Sequence, residues 1–554
     1  MQQSVHNPRR EKFDRITRLI EAGDLEEAEQ RLETLRKLAP RDLNLLNLAA
    51  YLAGLRGEAQ RAAALYKQVV AQAPDQPQLR FNLHRAEAIA AEQSEDLPGA
   101  VTALQKIISL TPGDESIQAQ IALLERQLCL FTPPRTWRVP ISPAAAMVLL
   151  PEPAAQRKNA EAWAAQQFRA IAPLPTTTPR AEQSPLRLGF LSSDFHDHAT
   201  SYLTAELFTL FDRQRFEVWL YSYGRDDGSA IRRRLQREAP HFTVLQDLPP
   251  RSVADRIRTD GIDILIDLKG HTRGGRLDIL AYRPAPLQLH WLGFPGTLGC
   301  PFIDYFVADP TVLPPGQAAH FSEKILYLPN SYQCNDRQKP LPPALPRSAY
   351  GLPEQGVVFA SFNQSYKLHP ELLTLWAEIL RAVPDSVLWL LASNRWAPEK
   401  IKSYFSAAGI APERLHFAAP TNQHDHLQRY HSVDIALDSF PIGGHTTTSD
   451  ALWLGVPVVT LVGDSFVSRV AASLLGAVEL PMLVAASLSY YRALAIKLAQ
   501  DASQRQRIRD HLTTNRLSLP LFNSAAFAKS FMNGLDLAWA RHRQGLPPAN
   551  LTVT

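Results

Sequence analysis

Asp438-Ser-Phe-Pro-Ile-Gly-Gly-His-Thr-Thr-Thr-Ser-Asp450 has the order of a strand end, a glycine-containing loop and a helix start near Thr446. Such a junction leaves backbone N–H groups unpaired and turns the positive end of the helix dipole toward whatever lies in front of it. An anion, phosphate above all, fits there. Thr446 and Thr447 add hydroxyls, and His445 adds a ring N–H. Asp450, one turn in, is placed to accept from ribose hydroxyls. The threonines suit ordinary helix capping equally well.

The surroundings repeat this strand-to-loop logic. Val357–Ser361, Val387–Leu391, Arg414–Phe417, Ile435–Leu437 and Val456–Leu461 read as strands. Helices are expected over Glu371–Ala382, Pro398–Ala408 and Asp450–Leu454. A break rich in proline (Pro340, Pro342, Pro343, Pro346) precedes this half. Before the break the same alternation runs through strands at Leu186–Leu191, Phe216–Tyr221, Ile262–Asp267 and Pro286–Leu292, with helices at Leu203–Phe211 and Ser252–Thr259. Alternating strands and helices imply parallel sheets covered on both faces. Two such halves predict an α/β core of paired Rossmann-like domains, with ligands beyond the carboxyl ends of the strands. The amphipathic stretch Ala525–Arg543 is expected to pack back on the core.

The N-terminal part is a different architecture. Gly23 to Gly57, Ala28 to Ala62 and Pro40 to Pro74 are each 34 residues apart, and Ala100 precedes Pro112 by the same 12 residues as Ala28 precedes Pro40. A turn glycine, a small residue inside a helix and a closing proline at this period are similar to the tetratricopeptide repeat. Alanine lets two helices approach, and proline ends the second one. Between Phe131 and Pro185 nine prolines (133, 134, 140, 143, 151, 153, 173, 175, 179) mark a connection, with a short helix at Ala154–Ala170. The expected division is residues 1–130 for the α-helical repeats, 131–185 for the linker, 186–345 for the first Rossmann-like domain and 346–545 for the second.

Composition narrows the function. Lys plus Arg is 58 against 54 for Asp plus Glu, a net charge of +4 over 554 residues, which argues against nucleic acid or an anionic membrane as partner. Arg9, Arg10, Arg15 and Arg18 read as a solvated helix face. Cys129, Cys300 and Cys334 have no metal or redox spacing. With no apolar leader near the start and no apolar run of about 18 residues, a cytoplasmic location is expected.

Three further loops carry chemistry. Ser361-Phe-Asn-Gln-Ser-Tyr-Lys-Leu-His-Pro370 puts Gln364 and Lys367 after a strand, in reach of the same anion. A fixed cation there would stabilise a departing diphosphate. Gly189–Ser201 brings His196, Asp197 and His198 to a strand's end, where a histidine can act as a base or orient a hydroxyl. No further cluster completes a metal site around the two histidines. Asp267–Gly275 and Trp291–Gly299 are glycine-rich loops that permit close backbone approach to a ligand. Asp226, Asp227, Asp263 and Asp267 read as turn and strand residues.

Together the segments SSDFHDHATS (192–201), DGIDILIDLKGHTRGGR (260–276), RPAPLQLHWLGFPGTLG (283–299), FSEKILYLP (321–329), FNQSYKLHP (362–370), GGHTTTSDALWLGVPVVT (443–460) and SRVAASLL (468–475) resemble the O-linked N-acetylglucosamine transferase and SPINDLY family, and the chain is identified as a bacterial member. The resemblance covers about residues 186 to 540 and the repeats. It implies tetratricopeptide repeats before a GT-B core. It implies that His198 lies at the active site, that Lys367 meets the diphosphate with Gln364 beside it, and that His445, Thr446 and Thr447 bind phosphate. It further implies that Asp450 takes the ribose, that His426 packs on the uracil with Arg429 close by, and that Thr272, Gly293 and Pro295 touch the sugar. The expected activity is inverting, metal-independent transfer of N-acetylglucosamine from UDP-GlcNAc to Ser or Thr of proteins, with no cofactor and with acceptors held in part by the repeats. SPINDLY-type fucosyl transfer from GDP-fucose, glucosyl transfer to Asn, and an interaction scaffold with a silent core stand as alternatives. The chain departs from the family at Ala199, where proline is common, at Lys269-Gly-His-Thr272 in place of an NGHT or NGYT turn, and at Gln423, where some members have lysine. The long insert of animal enzymes between the halves is missing.

Overall fold

A computed structural model describes residues 8–133, 135–175 and 185–554. Two compact units divide the chain, residues 1–125 and 126–554. Pro134 and Pro179, and the side chains of Arg9 and Arg10, lie outside the described residues. Arg15 and Arg18 are exposed, as expected of a solvated face.

The first unit is built from helical hairpins. Helices Pro8–Ala22 and Leu25–Leu38, Leu43–Leu55 and Ala59–Gln72, and Pro77–Gln93 and Leu97–Leu110 form three pairs. Each second helix stops two residues before its proline. Ala28, Ala62 and Ala100 are at most 1% exposed, as small residues inside packed helix pairs are expected to be. Gly23 and Gly57 turn each hairpin with φ of 81° and 77°, in the left-handed region that glycine reaches without strain. In the third hairpin Glu95 holds that position at φ 57°, so the turn geometry persists where the glycine signal fails.

The second unit holds two parallel sheets. In the first, β1 (Leu186–Ser192), β2 (Phe216–Ser222), β3 (His241–Val244), β4 (Ile264–Asp267), β5 (Leu287–His290), β6 (Tyr305–Ala308) and β7 (Lys324–Tyr327) run in the order 7-6-5-4-1-2-3. In the second, β8 (Val358–Ser361), β9 (Val387–Leu391), β10 (Leu415–Ala418), β11 (Ile435–Leu437), β12 (Val458–Leu461) and β13 (Val484–Ala485) run in the order 10-9-8-11-12-13. A last strand, β14 (Leu551–Thr552), pairs with β7 at the edge of the first sheet. Both sheets reverse direction of winding between their first and fourth strands, at β1/β4 and β8/β11. That switch point opens a crevice at the carboxyl edge.

Three expectations change. Helix Ser524–Arg543 and β14 belong to the first sheet, so the chain from 524 onward leaves the second lobe, although the second domain was expected to run to 545. Phe531 packs on Trp291 at 4.6 Å between ring centroids, and Gly534 sits against Leu326 and Val553. The segment 131–185 is more than a linker. Its helices Pro143–Leu149 and Pro153–Gln167 bury Ala145, Ala160 and Ala164, Phe168 meets Phe302 edge-on at 5.4 Å, and Leu174 N–H donates to Tyr282 O. The helix expected at Leu203–Phe211 is two, Ala199–Thr204 and Leu207–Leu210. Glu206 stands between them, 5% exposed, bound to the Arg337 guanidinium at 2.6 Å and to its backbone N–H.

The lobes meet directly. Ser473 Oγ donates to Asp309 Oδ2 at 2.7 Å, and Phe466 packs edge-on against Phe306 and Tyr332.

Candidate active site

The second lobe sets an uncapped helix start at its switch point. β11 ends at Leu437, Asp438 follows it, and helix Thr446–Trp453 starts eight residues after Asp438. Asp438, buried behind the loop, accepts from Gly444 N–H, Ser439 N–H and Thr460 Oγ1. Burial pushes its carboxyl up to about 6, against the pull of these donors and of Lys367. The loop is thus tied to the end of β11. His445 is the N-cap, and no side chain caps the first turn. Thr446 and Thr447 are therefore not the caps that their type allows. Thr447 Oγ1 donates to Asn363 Oδ1 at 3.0 Å.

Lys367 comes from the turn after β8, across the switch point. Its Nζ donates to Gly443 O at 2.8 Å, which sets the cation beside the helix start. Burial lowers its pKa to about 8, and Asp438 opposes the shift. His445 is pushed down to about 3, first by burial and then by the charge of Lys367. The imidazole is therefore neutral at physiological pH, and the lysine is charged. Gln364, at the start of this turn, is exposed.

Beside this helix start a buried carboxylate gathers polar and aromatic neighbours. Asp450 is 1% exposed. Its Oδ1 accepts from Lys339 Nζ at 2.7 Å, and its Oδ2 faces His426 Nε2 and Gln423 Nε2, each at 3.5 Å. Burial works against this carboxylate, yet Lys339 and then His426 hold it at about 2. His426 stands edge-on to Phe362 and Tyr430, at 5.9 and 5.2 Å. Arg429 lies over Phe362 with its Nη1 buried and without a partner, and burial lowers its pKa. A planar base fits the chemistry of such a group.

The first lobe gathers a second cluster at its own switch point. His198 caps helix Ala199–Thr204, its Nδ1 accepting from Thr200 N–H at 3.2 Å. The same nitrogen is 3.5 Å from Asp194 Oδ2. Asp194 Oδ1 accepts from Lys269 Nζ at 2.9 Å, from the loop after β4. Burial lowers the His198 pKa, Asp194 opposes, and Lys269 adds to the lowering. Thr272 Oγ1 donates to Lys269 O, leaving its lone pairs for a ligand donor. The loop Trp291–Gly299 closes over this turn. A Cβ on Gly293 would meet Leu268 O at 2.3 Å, so only glycine allows the two loops to touch. Pro295 follows, half-buried. Asp267 anchors the floor, taking Lys269 N–H, Gly270 N–H and His290 Nδ1, and His290 Nε2 meets Phe294 O. Both ring nitrogens of His290 therefore face acceptors.

The sequence-predicted residues thus fall into two groups, one per sheet, and no hydrogen bond or ion pair joins His198 to Lys367 among the described residues. His196 and His198 lie 5.7 Å apart between ring centroids, and among the described residues no three ligand-type side chains group to hold a metal. Asp226 and Asp227 are turn residues, bonded to Gly228 N–H and to Asp197 and Ser229 N–H. Asp267 is structural. The three cysteines are buried and free. Lys339, Asn363 and Asp194 escaped the reading of the sequence. Lys339 lies in a proline-rich stretch that looks like a connection, and only the fold brings it to Asp450. Asn363 and Asp194 sit inside quoted segments, where a polar neighbour of the obvious residue is the available signal. No helix of the described residues is long and apolar enough to cross a membrane.

Two Rossmann-like lobes of the same strand order, each with polar groups at its switch point, define a GT-B fold. The chain belongs to glycosyl transferase family 41, whose model matches residues 170–344 and 343–531. It is 38% identical over 375 residues to the probable UDP-N-acetylglucosamine–peptide N-acetylglucosaminyltransferase SEC of Arabidopsis thaliana, covering 66% of this chain and 38% of that one. It is 29% identical over 480 residues to the UDP-N-acetylglucosamine–peptide N-acetylglucosaminyltransferase of Caenorhabditis elegans, covering 66% and 42%. The chain spans about two fifths of the length of these relatives. A solved structure of a Thermobaculum terrenum O-GlcNAc transferase mutant superposes with a TM-score of 0.70 at 27% identity, covering 98% of this chain and 100% of that one.

Proposed function

We propose that this chain transfers N-acetylglucosamine from UDP-GlcNAc to Ser or Thr hydroxyls of proteins, with inversion and without a metal. The observation that carries the reading is the charged, half-buried Lys367 beside an uncapped helix start, at the switch point of the second lobe. The names of the similar proteins support the choice of donor and acceptor.

The steps follow from charge. The diphosphate lies against the first-turn amides of helix Thr446–Trp453, with Lys367, His445 and Thr446 around it. Uracil stacks by His426 within reach of Arg429, and the ribose hydroxyls donate to Asp450 Oδ2. N-acetylglucosamine extends toward Thr272, Gly293 and Pro295. The acceptor oxygen attacks the anomeric carbon from the face opposite the phosphate. The bond from that carbon to the β-phosphate oxygen breaks, and UDP takes the electron pair. Lys367 and the amides stabilise the charge that grows on the leaving oxygen, a term worth about 10²–10³ in rate per donor. The hydroxyl proton leaves to solvent or a base, and neutral His198 orients the acceptor. Acceptor chains are also held by the repeats. A groove of about 390 Å³ there is lined by Tyr51, Leu55, Tyr66, Asn82, Arg85 and Ile89. The reaction belongs to the cytoplasm, where the three thiols stay reduced.

The test incubates a proteome with the purified chain and UDP-GlcNAc, GDP-fucose or UDP-glucose, and reads modified residues by mass spectrometry. N-acetylhexosamine on Ser and Thr is the expected result. Fucose or Asn-linked hexose would replace the reading, and nucleotide binding with no transfer would refute it.

A further inference from the structure

Lys269 stands where the resemblance leads one to expect asparagine, and it is not solvated. It is 5% exposed, as is Asp194, its partner at 2.9 Å. A buried ion pair adds little net stability, because desolvation of both charges cancels most of the attraction. What distinguishes this pair is its neighbour. One carboxylate oxygen of Asp194 holds Lys269, and the other lies 3.5 Å from His198 Nδ1. That same Nδ1 accepts from Thr200 N–H, which it can do only unprotonated.

The geometry points to Lys269 as a positioning residue that, by satisfying Asp194, keeps His198 neutral, with Nδ1 capping the helix Ala199–Thr204 and the proton on Nε2. This rests on the proposed transfer reaction for its consequence, though not for its test. Without the lysine, Asp194 would be a buried carboxylate with His198 as its nearest cationic partner. The imidazole would take up a proton on Nδ1, turn its bond from Thr200 to Asp194, and give up the cap. The other charged and titratable groups facing His198 are His196 and Asp197, on its own loop. Both are engaged elsewhere: Asp197 accepts from Tyr202 Oη at 2.8 Å, and His196 Nδ1 faces Asp227 at 3.8 Å. Neither can take the place of Lys269 at Asp194. Burial already disfavours the imidazolium, so removal of the lysine works against that bias and not with it.

Histidine-selective NMR titration of the full chain tests this, with the His198 signal assigned by its loss in H198Q. In K269M the midpoint of His198 should rise by about one pH unit or more. K269R should restore it. The double variant K269M/D194N, which removes both charges, should titrate no higher than the wild type. K269Q keeps a donor for Asp194 without the charge and serves the same purpose if K269M does not fold. If transfer to peptide is measured alongside, the acid limb of its pH profile should move up with the NMR midpoint. kcat at neutral pH should fall by up to about threefold for a one-unit rise, as the neutral fraction of His198 drops, while UDP affinity stays unchanged. An unchanged His198 midpoint in folded K269M or K269Q would overturn the inference. Absence of transfer in the wild type, with the midpoint shift present, would count against the proposed function and leave this inference standing.

Discussion

The two lobes share one winding order and use its switch point for opposite electrostatic tasks. In the second lobe the loops after β8 and β11 bring a lysine and a row of amides to the open side, and the carboxylate of Asp438 is kept behind, tied to Gly444 N–H and Thr460. In the first lobe the loops after β1 and β4 bring a carboxylate and a histidine to the same place, and a lysine is buried to hold the carboxylate. The topology fixes where a ligand can lie. In the proposed reaction the sign of the charge left facing the crevice divides the work: one lobe stabilises an anion, the other sets the protonation of an acceptor-side group.

This contrast can be broken at either lobe. The largest effect is expected from Lys339→Met, which strands Asp450, a carboxylate buried with its partner at 2% and 1% side-chain exposure. Removing one member of a buried pair costs about 3–5 kcal/mol. Urea unfolding should show that loss, and calorimetry should show weaker UDP binding. Lys269→Met removes the matching lysine of the first lobe and should leave UDP affinity intact, which separates the lobes. Next in size, Lys367→Ala should lower turnover by about 10²–10³-fold with no loss of melting temperature, since a partly desolvated charge is removed along with the function. Near-normal turnover would remove Lys367 from the chemistry.

Gly293→Ala sharpens the comparison from the other side. The added methyl meets Leu268 O at 2.3 Å, and overpacking of this kind costs about 1–3 kcal/mol. Transfer should fall while UDP binding is kept, because the strain lies wholly in the first lobe. The pH dependence of UDP binding is smaller. Lys367 titrates at about 8 in the free protein, and bound diphosphate raises that value. Below pH 8 the lysine is already charged and its own contribution to affinity is flat. Above it binding must take up a proton, and affinity falls by up to about tenfold per pH unit. Calorimetry in buffers of different ionisation enthalpy would register the uptake. Smallest, Thr447→Val loses the bond to Asn363, worth about 1 kcal/mol, and should weaken UDP several-fold.

Much of this was legible in the residues and some was not. Strands such as β1 and β8 announce themselves as apolar runs that end in polar loops. The spacing of Ala28, Ala62 and Ala100 from their prolines gives the hairpins even where Glu95 replaces the turn glycine. β3, as short as β8, passes unnoticed because it is an edge strand, His241–Val244, whose polar residues break any apolar run. In the candidate site, His445, Thr447 and Lys367 sit in recognisable loops at strand ends and could be named. Groups that hold those residues do not. Lys339 reaches Asp450 across 111 positions, and Lys269 reaches Asp194 across 75. Pairing at that distance is a property of the sheet order, which no local pattern encodes. The helix Ser524–Arg543 shows the same limit: its amphipathic face predicts packing, but not which lobe receives it.

A structure of the protein with UDP bound tests the account most directly. The account predicts β-phosphate oxygens within hydrogen-bond distance of the first-turn amides of helix Thr446–Trp453 and of Lys367 Nζ, with the ribose on Asp450. A diphosphate bound away from Lys367, or against the first lobe's Asp194 and His198, would contradict it.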